Sequence, residues 1–238
     1  MVPRSTTPSA GRGKKSGPLT RGGWTPVGTA AERRANHASK GTARGERTRR
    51  GLLDAARRVF ENIGYIDAGV EDIVKEAGVA RGSFYTYFED KLEVFRILSA
   101  EVNQAVLEAA TAEPTKSLGP IARLHESNLR YIATYEQHAA MYGLVEQVAT
   151  IDPEVHTDRT RRRRDHVARV ADTIRRWQHR GIADTTIDAE TTAGLLVSMT
   201  SNFNYWWFVG NESHDHDEAA TALTDAWVRT IGLSRDKG

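Results

Sequence analysis

The sequence predicts an all-α protein of about nine helices. Along most of its 238 residues, apolar side chains recur at steps of three and four, which is the spacing of one helical face. Glycine and proline divide these segments at the intervals expected of helix ends. The sequence contains no persuasive alternation of apolar and polar residues, so we predict no strands.

The first four helices are short and closely spaced. The first ends at Gly64, and its apolar face consists of Leu52, Leu53, Ala56, Val59, Phe60 and Ile63. Two short amphipathic segments follow within residues 69–88, with Gly78 between them. A fourth helix starts near Asp90 and ends before Pro114. The remaining helices are expected at residues 121–137, 138–150, 153–181, 188–209 and 216–232.

Charge is distributed unevenly along the chain. Residues 1–50 contain twelve Lys and Arg against two acids, a net charge of +10, whereas the remainder carries 21 Lys and Arg against 29 acids, a net charge of −8. A basic end on an acidic body favours a polyanionic partner, although a solvated tail without a specific partner is the alternative. Residues 1–45 are rich in Gly, Pro, Ser, Thr and Arg, and we expect a disordered basic arm there.

Several functional classes have no support in the sequence. The absence of cysteine excludes disulfides and thiolate metal sites, and the chain has neither a signal peptide nor an apolar run long enough to cross a bilayer. Catalytic motifs such as a nucleophile elbow, a metal-binding helix pair or a phosphate-binding glycine loop are also missing. We therefore expect a cytoplasmic protein that is not an enzyme and has no catalytic residues, metal site, cofactor or membrane partner.

The most informative stretch runs from Gly69 to Phe88. A short helix, a glycine-containing turn and a second short helix form a helix-turn-helix pattern. Val74, Phe84 and Phe88 are placed to hold the second helix against the first helix of the chain. The residues left to face outward are Arg81, Ser83, Tyr85, Thr86 and Tyr87. One arginine, hydroxyls and two tyrosines suit contacts to phosphates and base edges, whereas a helical hairpin without a DNA role is the alternative.

This segment closely resembles the TetR (tetracycline-repressor) family of transcriptional regulators. The resemblance covers about residues 46–106, and the matching positions are Gly64, Tyr65, Asp72, Ile73, Ala77, Gly78, Val79, Gly82, Phe84, Tyr85, Tyr87, Phe88 and Lys91. It implies a three-helix helix-turn-helix DNA-binding domain at residues 46–106, with the motif at 69–88. It also implies that residues 107–238 form a helical ligand-sensing and dimerisation domain.

The resemblance assigns roles to individual positions. Arg81, Gly82 and Tyr85 resemble recognition-helix contacts to backbone and bases, and Lys91 resembles a phosphate clamp. Arg47 and Arg49 continue the basic arm into the first helix and can follow phosphates or enter a minor groove. The complete set of expected DNA contacts is Arg47, Arg49, Val70, Arg81, Gly82, Ser83, Tyr85, Thr86, Tyr87 and Lys91.

Three positions depart from the family pattern. Gly69 replaces a common threonine, and Ala80 stands where Ser or Thr usually caps the recognition helix, so neither offers a hydroxyl to a phosphate. Backbone N–H contacts from these positions remain available. Val74 is larger than the usual alanine, which predicts a slightly wider separation of the two helices.

The resemblance implies a ligand-responsive regulator, usually a repressor, which binds a pseudo-palindromic operator in double-stranded DNA as a dimer. A small apolar or aromatic effector would release it. Candidate effector contacts are Tyr131, Tyr135, Met141, Tyr142, Met199, Phe203 and Trp206, and the alternative is that these side chains belong to the core or the dimer interface.

The last two helices are expected to form a homodimer through a four-helix bundle. Their apolar stripes contain Leu195, Leu196, Met199 and Phe203, then Leu223, Ala226, Trp227, Thr230 and Ile231. Packing within one chain is the alternative. The arginine run 161–164 indicates a solvated face paired with Asp158 and Asp165, or else capture of a phosphorylated or CoA-like ligand. Residues 214–218 resemble a metal cluster in composition, but we interpret them as a loop and an acidic helix start.

Overall fold

The computed structural model describes residues 43–111 and 119–233, and within these ranges the chain forms nine helices and no strand. The prediction of an all-α fold is confirmed. No helix in these ranges is long and apolar enough to cross a membrane. The helices are α1 (Ala43–Ile63), α2 (Val70–Ala77), α3 (Arg81–Tyr87), α4 (Lys91–Thr111), α5 (Pro120–Gln137), α6 (Ala139–Ala149), α7 (Pro153–His179), α8 (Ala189–Phe208) and α9 (His216–Ile231).

Helix α1 begins earlier than expected. Its first residue is Ala43, so the predicted boundary of the disordered arm at residue 45 is wrong by part of a turn. Alanine and arginine favour helix, and Glu46 lies in the first turn, where a carboxylate interacts favourably with the helix dipole. The rest of the predicted arm, residues 1–42, lies outside the described residues.

Specific residues fix the ends of the helices. Gly78 and Gly232 adopt left-handed conformations, with φ of 65° and 67°, and end α2 and α9. Asp152, Asp188 and Asp215 cap the starts of α7, α8 and α9 by accepting hydrogen bonds from backbone N–H groups. Each cap satisfies donors that the helix itself leaves unpaired.

The N-terminal helices surround an aromatic core. Phe60, Phe84, Phe88 and Phe95 are fully buried there, and the rings of Phe60 and Phe95 meet edge to face with 5.7 Å between centroids. This core continues into α6, because Met141 is fully buried in the same cluster. The N-terminal helices therefore share packing with the rest of the chain.

A second core joins α5, α7, α8 and α9. Its buried members include Leu124, Ala171, Ile174, Ala193, Leu196, Trp227, Val228 and Ile231. Two hydrogen bonds satisfy polar groups buried between these helices. The Trp227 Nε1–H donates to Thr200 Oγ1 at 3.0 Å, and Asn128 Nδ2 donates to Thr224 Oγ1 at 2.9 Å.

The expected apolar stripes of the last two helices divide between two environments. Leu196, Leu223, Trp227 and Ile231 are buried within their own chain, so their predicted place in a dimer interface is wrong. An apolar stripe does not show by itself which partner covers it. On α8, Leu195 and Met199 face outward, with exposed fractions of 63% and 37%.

Polar contacts tie the N-terminal helices to the later ones. Arg57 of α1 lies 2.8 Å from His138 Nδ1, at the junction of α5 and α6. Arg96 of α4 donates to the buried carboxylate of Asp158 in α7 at 2.6 Å. Burial and the positive charge of Arg57 lower the pKa of His138, which favours the neutral ring as an acceptor.

The shared core predicts that Met141 stabilises the N-terminal helices. Met141→Ala should lower the free energy of unfolding by about 2–5 kcal/mol, because it removes a fully buried side chain and leaves a cavity. Chemical denaturation with far-UV circular dichroism measures this loss. Ile151→Ala is the control, since Ile151 is 61% exposed and its loss should change stability by less than about 0.5 kcal/mol. Equal effects of the two substitutions would contradict this packing.

Candidate nucleic-acid interface

Helices α2 and α3 form the helix-turn-helix expected at residues 69–88. The left-handed Gly78 turns the chain, and the N–H of Val79 donates to the carbonyl of Val74 at 3.1 Å. Behind α3, Phe84 and Phe88 are fully buried and Val74 is 8% exposed. The predicted packing of these three residues is confirmed. It leaves the opposite side of α3 directed away from the core.

The starts of α2 and α3 lack side-chain caps, as the sequence predicts. Gly69 and Ala80 make no side-chain hydrogen bond to the helices that follow them. Gly69 instead donates its own N–H to Asp72 Oδ2 at 2.9 Å, which fixes the entry to α2. The missing cap costs about 1 kcal/mol at Ala80 and only roughly a few tenths of a kcal/mol at Gly69.

Arg81 and Tyr85 form a connected pair one helical turn apart on α3. Arg81 is exposed, its guanidinium lies 5.7 Å from the centre of the Tyr85 ring, and its Nη2 donates to the Tyr85 hydroxyl at 3.3 Å. Arg81 also forms an ion pair with Glu71 of α2. These contacts orient the guanidinium before any ligand arrives. The neighbouring Gly82 is also exposed.

The outward-facing surface of α3 is smaller than expected. Ser83, Tyr85, Thr86 and Tyr87 are only partly exposed, and both tyrosine rings pack against the N-terminal core. The Thr86 hydroxyl donates to the carbonyl of Gly82 at 3.1 Å, as threonine hydroxyls in helices commonly do. On α2, Val70 is another expected DNA contact, and it also packs partly into the core.

Lys91 has a different environment from the expected phosphate clamp. Its Nζ donates to the carbonyls of Tyr65 and Ala68 at 2.7 Å, and to that of Ile66 at 3.3 Å. The ammonium also lies 4.4 Å from the centre of the Tyr65 ring. Desolvation lowers the pKa of Lys91. This first residue of α4 thus holds together the loop between α1 and α2, which sequence spacing did not reveal.

The arginines at the start of α1 differ in their contacts. Arg47 is exposed, and Arg49 places its guanidinium 5.3 Å from the centre of the Phe88 ring. Both remain on the surface beside α3. Arg50, in contrast, donates to Asp54 at 2.9 Å and to Glu101 at 3.0 Å, so it ties α1 to α4.

The expected effector contacts do not line one pocket. Tyr131, Tyr135 and Tyr142 do gather, with the Tyr135 and Tyr142 rings stacked 4.3 Å apart, and burial raises the pKa of all three phenols. Met141, however, belongs to the N-terminal core described above. Met199 faces outward on α8.

The two remaining expected effector contacts lie elsewhere on α8. Trp206 is 51% exposed, and Phe203 packs against Trp207 and His214. A helix with aromatic residues on every face cannot direct all of them into one cavity.

A large cavity in the described part of the chain lies between α5 and α7. Its volume is about 1470 Å³, and Trp177 and Trp227 are among its walls. Of the expected effector contacts, only Tyr131 lines it. Six arginines also line this cavity, and the sequence analysis missed them. The helical spacing of Arg169, Arg176 and Arg180 was the available signal.

Residues 214–218 form a loop and the start of a helix. Asp215 accepts hydrogen bonds from the N–H groups of Asp217 and Glu218. Within residues 43–111 and 119–233, no group of His, Asp and Glu side chains is arranged to hold a metal ion. In the arginine run, Arg161 pairs with Asp158 at 2.7 Å, which confirms that predicted partner.

The contacts of Lys91 predict a structural effect of its removal. Lys91→Met should lower the free energy of unfolding by about 1–3 kcal/mol in the absence of DNA, because it leaves buried carbonyls without their donor. Thermal and chemical denaturation measure this. Lys75→Met is the matched control, since Lys75 is exposed on α2 and should be nearly neutral. Unchanged stability of the Lys91 variant would show that its carbonyl contacts do not support the loop.

The known proteins that this chain resembles are transcriptional regulators, in agreement with the helix-turn-helix described above. Residues 52–97 match the family model described as "Bacterial regulatory proteins, tetR family". The chain is 28% identical over 177 residues to the HTH-type transcriptional repressor BepR of Brucella suis biovar 1, covering 71% of this chain and 84% of BepR. It is 25% identical over 183 residues to the HTH-type transcriptional regulator EthR of Mycobacterium tuberculosis, covering 76% of this chain and 85% of EthR.

Solved structures share the fold. SmeT, described as the repressor of the Stenotrophomonas maltophilia multidrug efflux pump SmeDEF, superposes with a TM-score of 0.63 at 20% sequence identity, covering 79% of this chain and 91% of SmeT. The helix-turn-helix at α2 and α3, the family match over it and the shared all-α fold agree. The chain is therefore similar to TetR-family transcriptional regulators, in sequence over residues 52–97 and in fold over most of its length.

Proposed function

We propose that this chain is a repressor that binds a pseudo-palindromic operator as a homodimer and is released by a small-molecule effector. The observation that carries the proposal is the pair formed on α3 by the exposed Arg81 and the partly exposed Tyr85, held from behind by buried phenylalanines. Repression is supported by BepR and SmeT, whose names describe them as repressors. We assign residues 46–106 to DNA binding and residues 107–238 to effector sensing and dimerisation.

The chemistry of α3 fits a major groove. A guanidinium can donate two hydrogen bonds to one guanine, and the Tyr85 hydroxyl can reach a phosphate or a base edge. A side chain at Gly82 would contact nothing within 4 Å in the free protein, so its own fold does not require glycine there. Close approach of the backbone to DNA supplies a reason for the missing side chain.

The outward face of α8 supports a dimer. Leu195, Met199 and Trp206 are exposed at helical spacing, and Asn202 lies on the same stripe. Large apolar side chains grouped on a surface are typical of an interface. Two-fold pairing through α8 and α9 would place one α3 against each half-site of an inverted repeat.

Helix α4 supplies a path between effector and DNA. Lys91, its first residue, binds the loop before α2, and Ala110 and Thr111 at its other end line the cavity. Arg96, between these ends, is bonded to Asp158 of α7. An effector that binds more tightly when α4 is in one position would favour that position and so change the distance between the two α3 helices of the dimer. The size of this shift is limited by the difference in the effector's affinity for the two positions.

The reading surface predicts a specific loss on substitution. Arg81→Ala and Tyr85→Ala should each weaken operator binding about ten- to a hundredfold, because each removes a base or phosphate contact. Operators are first selected from random duplexes with the unaltered protein, and affinities are then measured by fluorescence anisotropy. Arg164→Ala is the control, as Arg164 is an exposed arginine on α7. Unaltered affinity of both variants, with the fold retained, would refute the assigned surface.

The stripe on α8 predicts the assembly state. The double substitution Leu195→Glu and Trp206→Glu should weaken dimerisation about a hundredfold or more, because it places charges where apolar surface is buried. Analytical ultracentrifugation over a concentration series measures the effect. Ile151→Glu, at a residue that is 61% exposed outside the stripe, should leave the dimer intact. A stable dimer of the double variant would place the interface elsewhere.

A further inference from the structure

The cavity between α5 and α7 combines an apolar interior with a basic rim. Its apolar walls include Leu124, Ile174, Trp177, Val197 and Trp227. Two pairs of buried polar groups among the walls bond within the protein, since Trp227 donates to Thr200 and Asn128 donates to Thr224. The interior therefore favours an apolar body without demanding a polar partner there.

The rim is strongly positive. Six arginines line the cavity and Asp172 is the only acid among the described lining residues. Arg169 and Arg176 of α7 and Arg180, the residue directly after this helix, follow one another at steps of seven and four, so they share a face. On α5, Arg123 and Arg130 also line the cavity.

Acidic partners neutralise only part of this charge. Arg175 pairs with Asp172 at 2.9 Å, and Arg130 pairs with Glu126 at 3.1 Å. In contrast, Arg169, Arg176 and Arg180 have no carboxylate within 4 Å in the part of the chain that the structure describes. Their row of positive charge is exposed at the rim, where solvent access and charge focusing both favour capture of an anion.

His166, on the wall of the cavity, is also affected by the positive charge of nearby arginines. It lines the wall one turn before Arg169 and Val170. Burial first, and then the charges of Arg169 and Arg163, lower the pKa of His166 to about 4. The ring is therefore neutral near pH 7 and offers a hydrogen bond without adding to the charge.

We propose that this cavity binds an amphipathic organic anion. The apolar body lies between Trp177 and Trp227, and the carboxylate or phosphate group is held by Arg169, Arg176 and Arg180. This inference rests on the proposed function, because it names the chemical class of the effector. It adds an anionic group to the small apolar or aromatic molecule that the sequence led us to expect.

A matched set of ten-carbon probes tests the proposal. Decanoate and decyl phosphate are anions, decanol is neutral, and decyltrimethylammonium is a cation, while the apolar chain is constant. Each is titrated below its micelle concentration into the full-length protein, and tryptophan fluorescence reports binding because Trp177 and Trp227 line the cavity. At least one anion should bind ten times more tightly than decanol or decyltrimethylammonium. No anion preference would overturn the proposal.

Substitutions locate the anion within the cavity. Arg169→Gln combined with Arg180→Gln should weaken binding of the preferred anion at least tenfold and leave decanol binding unchanged. Arg164→Gln removes an exposed arginine of the same helix that does not line the cavity, and it should have less than a twofold effect. Equal loss in the double variant and the control would show only a general effect of charge and would overturn the assigned site.

Measurements of operator binding distinguish failure of the cavity proposal from failure of the proposed function. The preferred anion is added to the complex of protein and selected operator, and anisotropy reports release. Release that disappears in the Arg169/Arg180 double variant supports the anion as effector. Specific operator binding without any anion preference refutes the cavity proposal alone. Arginine-dependent anion binding without specific operator binding refutes the proposed function and leaves the cavity assignment standing.

Discussion

A helix of seven residues is not stable in water by itself, so the surface of α3 depends on the burial of Phe84 and Phe88. Neither end of α3 carries a side-chain cap, and Ala80 at its start offers no hydroxyl. Packing against α1 and α4 must therefore supply the stability that local interactions do not give α3. Any change that moves α1 or α4 also moves the α3 residues that we propose as DNA contacts.

Helix α4 connects the packing behind α3 to the rest of the protein. Phe95 belongs to the aromatic core behind α3, while Val106 lies in the cluster with Tyr131 and Tyr135. Arg96 is anchored to Asp158, whose carboxylate also binds Arg161. These two arginines lower the pKa of Asp158 despite its burial. The helix is thus held at several points along its length.

The helices and the helix-turn-helix were predictable because their signals are local. Gly78 and the spacing of Val74, Phe84 and Phe88 place the turn and the packing face from short-range pattern alone. The location of a side chain relative to distant helices was not predictable. Trp227 and Ile231 form an apolar stripe that suits a partner chain or their own chain equally, and the structure buries them within their own chain.

In the candidate site, too, the position of a side chain relative to distant helices was not predictable from the sequence. Lys91 was recognised as part of a motif, but its contacts with three carbonyls depend on how the preceding loop folds back. The cavity arginines come from α5 and α7, and only tertiary packing brings them to one rim. Sequence pattern identified the aromatic residues as notable, yet it did not show which of them surround an open space.

The ion pair between Glu71 and Arg81 has a consequence for how the protein searches a genome. In the DNA complex that we propose, any new partner of Arg81 must compete with the carboxylate of Glu71, which is already in place. A single phosphate oxygen offers little advantage over Glu71, whereas two aligned acceptors on a guanine offer more. In the proposed complex, Glu71 should therefore weaken binding to random sequence more than binding to the correct base. Such competition favours discrimination at the expense of total affinity.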